Sequence, residues 1–292
     1  MSDPRLPLET RSRQWLGRLQ LRADRAAWSR YAFEFLVFGL KQAWACVFGG
    51  LMLALLVITH LLWPDSAPIA RYDFIFIGAL AIQAAMLILK LESWEEARVI
   101  FLFHIVGTVM ELFKTYQGSW IYPEESLLRI GMVPLFSGFM YSAVGSYIAR
   151  IWRIFDIRFR HYPPLWTTWV LAGAIYVNFF AHHWLPDIRL GLFVLTAVLF
   201  GRGWFYFTAD RTRRSMPFLL GFGLVAAFIW LAENLGTFAR AWVYPSQESG
   251  WHMVSIQKMG AWFLLMLISI VLVSLVHKPE EEPRLSPPGP SA

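Results

Sequence analysis

Apolar runs and polar links alternate along this chain with a spacing set by the thickness of a membrane. Eight apolar runs, at 43–63, 73–91, 97–115, 131–150, 165–185, 188–208, 216–237 and 255–277, are separated by short polar stretches. Each is about 20 residues long, which is what a helix needs to cross about 30 Å of hydrocarbon. Backbone N–H and C=O groups in lipid must find partners within their own segment, so the runs predict helices. The expected fold class is all-α: a polytopic membrane helix bundle of about eight transmembrane helices in two parallel four-helix repeats. Residues 1–30 form a basic N-terminal segment with Trp15, Leu16, Leu19 and Trp28, expected to be cytoplasmic and to suit a membrane surface. No small-residue cleavage pattern accompanies the first run, so a cleavable signal peptide is not expected. The Pro-rich, acidic tail at 278–292 is expected to be disordered.

The two halves resemble each other at polar positions. Adding 122 to a residue number carries His60 onto His182, Pro64 and Asp65 onto Pro186 and Asp187, and Glu111 onto Glu233. It also carries Thr115 onto Thr237, and Trp120, Tyr122 and Pro123 onto Trp242, Tyr244 and Pro245. No gap is needed, and the pattern Glu-x8-Trp-x-Tyr-Pro occurs twice. Residues 31–155 and 156–277 therefore read as two copies of one unit. An even number of helices per unit gives both copies the same orientation, related by a pseudo-twofold axis along the membrane normal.

Composition and charge sharpen this picture. The chain is 57% hydrophobic and 16% charged, where soluble domains carry about a quarter charged residues. The net charge of +6 does not indicate nucleic acid, because the basic residues lie between apolar runs and not along one stripe. They set orientation instead. Arg11, Arg13, Arg18, Arg22, Arg25, Arg30, Lys90, Arg98, Arg150, Arg153, Arg158, Arg160, Arg211, Arg213 and Arg214 fall on one side of the expected topology. The other side holds scattered charges such as Arg71, Lys114, Arg129, Arg189, Arg240 and Lys258. The positive-inside rule then places both termini in the cytoplasm and the chain in the bacterial inner (plasma) membrane. Cys46 is the single cysteine, so no intrachain disulfide is available.

The candidate chemistry gathers around Glu111 and Glu233. A carboxylate in or near the bilayer is costly and usually faces protein or water. His104 lies two turns before Glu111 on the same helix face, and Lys114 follows at a spacing that allows pairing. Asn178, Asn234, His60, His182 and His183 add polar groups, while Trp120, Tyr122, Trp242 and Tyr244 are candidates for an aromatic wall able to stabilise a cation. Plainer readings stand beside these. The carboxylates can reach outer water and cap loops, the Trp and Tyr can form an ordinary interfacial belt, and the histidines can serve as hydrogen-bonding groups. Arg202, between Gly201 and Gly203, can extend toward the cytoplasm. No phosphate loop, zinc-protease motif or nucleophile elbow is present, and no metal or cofactor is expected.

The sequence Glu-Leu-Phe-Lys-Thr-Tyr-Gln-Gly-Ser-Trp-Ile-Tyr-Pro-Glu-Glu at 111–125 resembles the bacterial membrane family called domain of unknown function 817, the YoaT-like proteins. The resemblance covers about 31–276 and is most specific at 118–125. It implies a multi-pass membrane protein and brings no particular activity. More distantly, paired membrane carboxylates near a Trp-x-Tyr are similar to membrane carotenoid and terpenoid cyclases, which protonate an alkene or epoxide. Lycopene cyclases of that type carry Pro-Leu-Glu-Glu. Here Pro123-Glu124-Glu125 lacks the Leu, and the second copy reads Pro245-Ser246-Gln247.

Three functions are open at this point. The first is an intramembrane enzyme, of cyclase or isomerase type, using Glu111 and Glu233 as acid and base on a lipid-soluble or isoprenoid substrate. The second is a secondary transporter or proton-coupled carrier for a small solute, and the third a non-catalytic membrane scaffold. The expected partners are the lipid bilayer and a lipid-soluble small molecule. A shared site predicts that Glu111 and Glu233 point into one central cavity, with His104 on its deeper wall and Asn178 as a neighbour. The opposing expectation sends both carboxylates to outer water, far apart.

Overall fold

A computed structural model describes residues 27–64 and 66–283. The expectations for residues 1–26 and for the end of the tail lie outside the described residues. The described chain is mostly helical, as its apolar runs require. Its helices are α1 (Ala27–Ala45), α2 (Val47–Leu62), α3 (Arg71–Ile88), α4 (Trp94–Tyr116), α5 (Ser137–Ile154), α6 (Leu165–Ala181), α7 (Arg189–Phe200), α8 (Phe218–Phe238) and α9 (Gln257–Ser274). A two-residue hairpin pairs β1 (Arg129–Ile130) with β2 (Val133–Pro134), and an antiparallel sheet orders β3 (Arg158–Arg160), β4 (Trp204–Thr208) and β5 (Arg213–Pro217) side by side.

Among the described residues four helices are long and apolar enough to cross a membrane: Arg71–Ile88, Trp94–Tyr116, Phe218–Phe238 and Gln257–Ser274. A fifth span arises if Arg30–Ala45 and Val47–Leu62, bent by 65°, count as one. Their outward faces are apolar, with Phe35, Leu62, Ile88 and Phe228 exposed, as in a protein surrounded by lipid. The run at 188–208 departs most from its expected helix. Helix α7 stops at Phe200, after 12 residues, and Trp204–Thr208 forms a strand. A nearly continuous apolar run carries no period that separates helix from strand, and here Gly201, Gly203 and the aromatic run 204–207 favour the hairpin. Residues 280–282, expected in the disordered tail, run beside β3, with Phe159 N–H donating to Glu280 and Glu282 N–H to Phe159.

Loops gather at two ends of the bundle. At one end Arg150 ion-pairs with Glu92 and reaches the Trp44 carbonyl, and the β3–β5 sheet closes over the tail. At the other end lie the loops after α4, α6 and α8. Arg71, in the first turn of α3, holds Glu124 through Nη2–Oε1 at 2.6 Å and Nε–Oε2 at 2.7 Å. The same guanidinium reaches the Ala239 and Arg240 carbonyls, so one residue ties together the loops that follow α4 and α8. Asp73 accepts from Ser126 Oγ and from the Leu127 and Leu128 N–H groups, which fixes the remainder of the first loop.

Helix α5 packs against α1, α2, α4 and α9 and so occupies the interior, where Ser142, Ser146 and Arg150 are buried. Its approach to α4 depends on small residues, the usual device for close helix packing in lipid. A Cβ on Gly107 would come within 2.6 Å of the Tyr141 ring. Gly107→Val should therefore destabilise the protein by about 1–3 kcal/mol through overpacking, read as a lower melting temperature in detergent. A variant melting with the wild type would mean that the α4–α5 contact is looser than its geometry.

Candidate functional site

The site begins with two matching helix ends. Helix α4 closes with Gln117, Gly118 and Ser119 N–H groups donating to Phe113, Thr115 and Lys114. Helix α8 closes with Ala239, Arg240 and Ala241 donating to Leu235, Thr237 and Gly236, which are the same positions moved by 122. The turn needs a left-handed residue, and Gly118 has φ +66° while Arg240 has φ 50°. After each turn the chain doubles back. Ile121 and Val243, again 122 apart, donate to each other's carbonyls at 2.9 Å in both directions. Residues at the same position of the two matching turns thus meet in a reciprocal pair.

That doubling back brings each tyrosine onto the carboxylate of its own helix. Tyr122 donates to Glu111 Oε2 at 2.6 Å, and Tyr244 donates to Glu233 Oε1 at 2.5 Å. Burial first, and then the adjacent carboxylates, push both phenol groups well above their ordinary pKa, so they stay protonated and remain donors. The other partners differ between the halves. Glu111 also accepts from Trp120 Nε1 and Tyr141 Oη, both at 2.8 Å. Glu233 accepts from Trp262 Nε1 at 2.9 Å, while Trp242 packs over Gly236.

Both carboxylates line one cavity of about 90 Å³, together with Trp120, Tyr122, Tyr141, Trp242, Tyr244 and Trp262. Glu111 and Glu233 are only 5% and 4% exposed, so neither is a surface cap. Lys258 lines the same cavity, its ammonium 4.3 Å from the Tyr244 ring centre. A second cavity of about 200 Å³ adjoins it, sharing Trp120, Phe179 and Lys258 and adding Lys114, Asn178, His182 and Arg189.

The remaining sequence candidates fall elsewhere. Lys114 does not pair with Glu111. Its Nζ lies 3.1 Å from His183 Nε2 and 4.1 Å from the Phe179 ring centre. Burial, then the charges of Lys114 and His182, hold His183 below its ordinary pKa, which suits a neutral ring accepting from Lys114. Asn178 donates to Asp187 Oδ1 and accepts from Ile188 N–H, shaping the loop beside the second cavity. Burial opposes the Asp187 charge, but bonds from Asn178 and the Arg189 backbone, with the Arg189 charge, keep its carboxyl below the usual range. Asn234 ties the Trp230 carbonyl to the Val254 N–H and does not line the carboxylate cavity. His104 lines neither cavity. It packs against Phe139 and Gly138, because the Tyr141 ring fills the space over Gly107 between it and Glu111. His60 packs edge-on against Phe238, and His182 Nδ1 lies 3.0 Å from the Asn178 carbonyl. Among the described residues no group of three His, Cys, Asp or Glu is placed to hold a metal.

Sequence reading missed Tyr141, Lys258 and Trp262. Tyr141 and Trp262 stand 30 and 29 residues after their glutamates, each on the last helix of its half. The shared signal is an aromatic ring with a polar tip on that helix, which an exact offset search passes over because Tyr141 matches Phe263.

No solved structure matches the chain. The uncharacterized protein YoaT of Bacillus subtilis (strain 168) is 40% identical over 245 residues, which cover 84% of this chain and 92% of that protein. A family model described as "Protein of unknown function (DUF817)" matches residues 34–270, and the chain belongs to that family.

Proposed function

We propose that this protein is an intramembrane acid–base enzyme of isomerase or cyclase type, acting on a lipid-soluble substrate between Glu111 and Glu233. The observation that carries the reading is the single aromatic-walled cavity that both buried carboxylates face. In this reading the bundle lies in the inner membrane as two parallel four-helix units, with α7 too short to cross it fully and both termini cytoplasmic. The matching helix ends and the reciprocal Ile121–Val243 pair support the duplication.

The donor sets suggest a division of labour. Glu111, with three donors, has the surroundings of an anion and serves as base; Glu233, with two, serves as acid. The Glu233 carboxyl protonates one carbon of a substrate double bond, forming a C–H bond and leaving a cation on the neighbouring carbon. The faces of Trp120, Trp242 and Tyr141 stabilise that cation. Glu111 then removes a proton from an adjacent carbon, and those C–H electrons form the new double bond. One proton enters and one leaves, so the product is an isomer of the substrate, and solvent exchange resets the two carboxyls.

Membranes containing the protein, incubated in D2O, should yield a lipid of unchanged formula carrying one deuterium, and Glu233→Gln membranes should not. Identical lipid profiles and labelling in both would remove this reading. One observation favours a second reading, a proton-coupled carrier: Lys114, Arg189 and Lys258 line the cavity adjoining the carboxylates, a setting suited to a small anionic solute. Uptake into proteoliposomes that responds to a pH gradient, without lipid labelling, would select it.

A further inference from the structure

A larger cavity lies away from the carboxylates. It measures about 310 Å³ and is bounded by α1, α5, α8, α9 and the β4–β5 hairpin, with Phe38, Phe155, Phe205, Phe207 and Phe222 in its wall. Two of its polar groups satisfy each other, Tyr147 donating to Gln42 Oε1 at 3.0 Å. Water gains little in such a space, and hydrocarbon gains most. Leu224 and Phe228 line it and are 55% and 56% exposed, so the chamber opens sideways onto the apolar face of α8.

This chamber is aligned with the carboxylate site along one face of α9. Lys258, Ala261 and Trp262 border the carboxylate cavity. Trp262 and Met266 border a small void of about 30 Å³, and Met266 and Ile270 border the large chamber. Residues 258, 262, 266 and 270 are one helical turn apart and together span about 18 Å. Met266 stands at the narrow point, and an unbranched thioether with three rotatable bonds is the side chain best able to swing aside. The carboxylate cavity alone, at about 90 Å³, has no room for a long chain.

We infer that the large chamber holds the hydrocarbon tail of a single-chain amphiphilic substrate whose reactive end lies between Glu111 and Glu233. This rests on the enzymatic reading above for the reactive end, while the tail site stands on its own cavity. A chain of an ordinary bilayer lipid has the same chemistry, so the test separates the two sources.

Cys46 lines the chamber and is the only cysteine of the chain, so it serves as a reporter. The full-length protein in diacyl-phospholipid nanodiscs is alkylated with N-ethylmaleimide and followed by intact mass. A C20 isoprenoid alcohol should slow alkylation at least fivefold. Leu224→Trp, which blocks the lateral opening, should abolish that slowing while melting near the wild-type temperature. Met266→Trp should keep the slowing and lose deuterium labelling of the lipid. Unchanged alkylation on adding the alcohol would overturn the inference, as would equal slowing in the Leu224→Trp protein. A Cys46 that is alkylated in detergent but unreactive in nanodiscs without the alcohol would also overturn it, since a bilayer lipid then fills the chamber. Slowed alkylation with no labelling in any variant would retain the tail site and reject the chemistry at the carboxylates.

Discussion

Glu111→Gln and Glu233→Gln should each lower turnover at least about 100-fold, the scale at which a positioned acid or base contributes, while leaving the fold intact. Gln keeps the length of the side chain and one carbonyl oxygen. Tyr122 retains an acceptor in the first variant and Tyr244 in the second, so the loops remain closed on their helices. What is lost is the ability to carry or accept a proton. The double variant should be little worse than either single one, because acid and base act in one reaction and removing either halts it. Tyr122→Phe provides the contrast, since it removes one of three donors to Glu111 without removing the carboxylate and should cost much less. Deuterium labelling of lipid extracts provides the rate, and melting in detergent provides the control. Single Gln variants that label lipid at the wild-type rate would exclude these carboxylates from the chemistry.

Arg150→Met should be the most destabilising substitution away from the cavity, at about 3–5 kcal/mol, the usual cost of leaving a buried charge without its partner. Both side chains of the Arg150–Glu92 pair are fully buried, 3.2 Å apart. Glu92 also accepts from Ser146 Oγ and Gln83 Nε2, so the pair binds α3, α5 and the link before α4 into one network. The double variant Arg150→Met with Glu92→Gln should recover part of the loss, because no charge is then stranded. Melting curves of the two single variants and the double variant measure the coupling directly. A single variant as stable as the wild type would mean that the pair contributes little to folding.

Much of this protein was legible along the chain. The mostly helical character follows from the apolar runs, because a buried or lipid-facing backbone must satisfy its own hydrogen bonds, but helix ends did not: the run at 188–208 is helical only to Phe200, and the run at 131–150 only from Ser137. The repeat at offset 122 identified Glu111, Glu233, Tyr122 and Tyr244, since residues that recur at fixed spacing reoccupy equivalent places if the units fold alike. The positive-φ turn after α8 was harder to read, because Arg240 stands where the first unit has Gly118 and composition gives no sign of the shared backbone shape.

What the sequence determined by itself was the helical class, the family, and which carboxylates and tyrosines recur at the same spacing in the two halves, all consequences of pattern along the chain. Only the tertiary structure decided that both carboxylates face one cavity, because that depends on the Ile121–Val243 pair joining loops more than a hundred residues apart. It also decided which neighbours matter. Helix periodicity put His104 and Lys114 beside Glu111, but the Tyr141 ring over Gly107 shuts out the first and His183 takes the second. Trp262 and Lys258 enter from α9, whose approach no spacing within α8 encodes. A helix face limits the directions a side chain can point, and the packing of other helices chooses what it meets there.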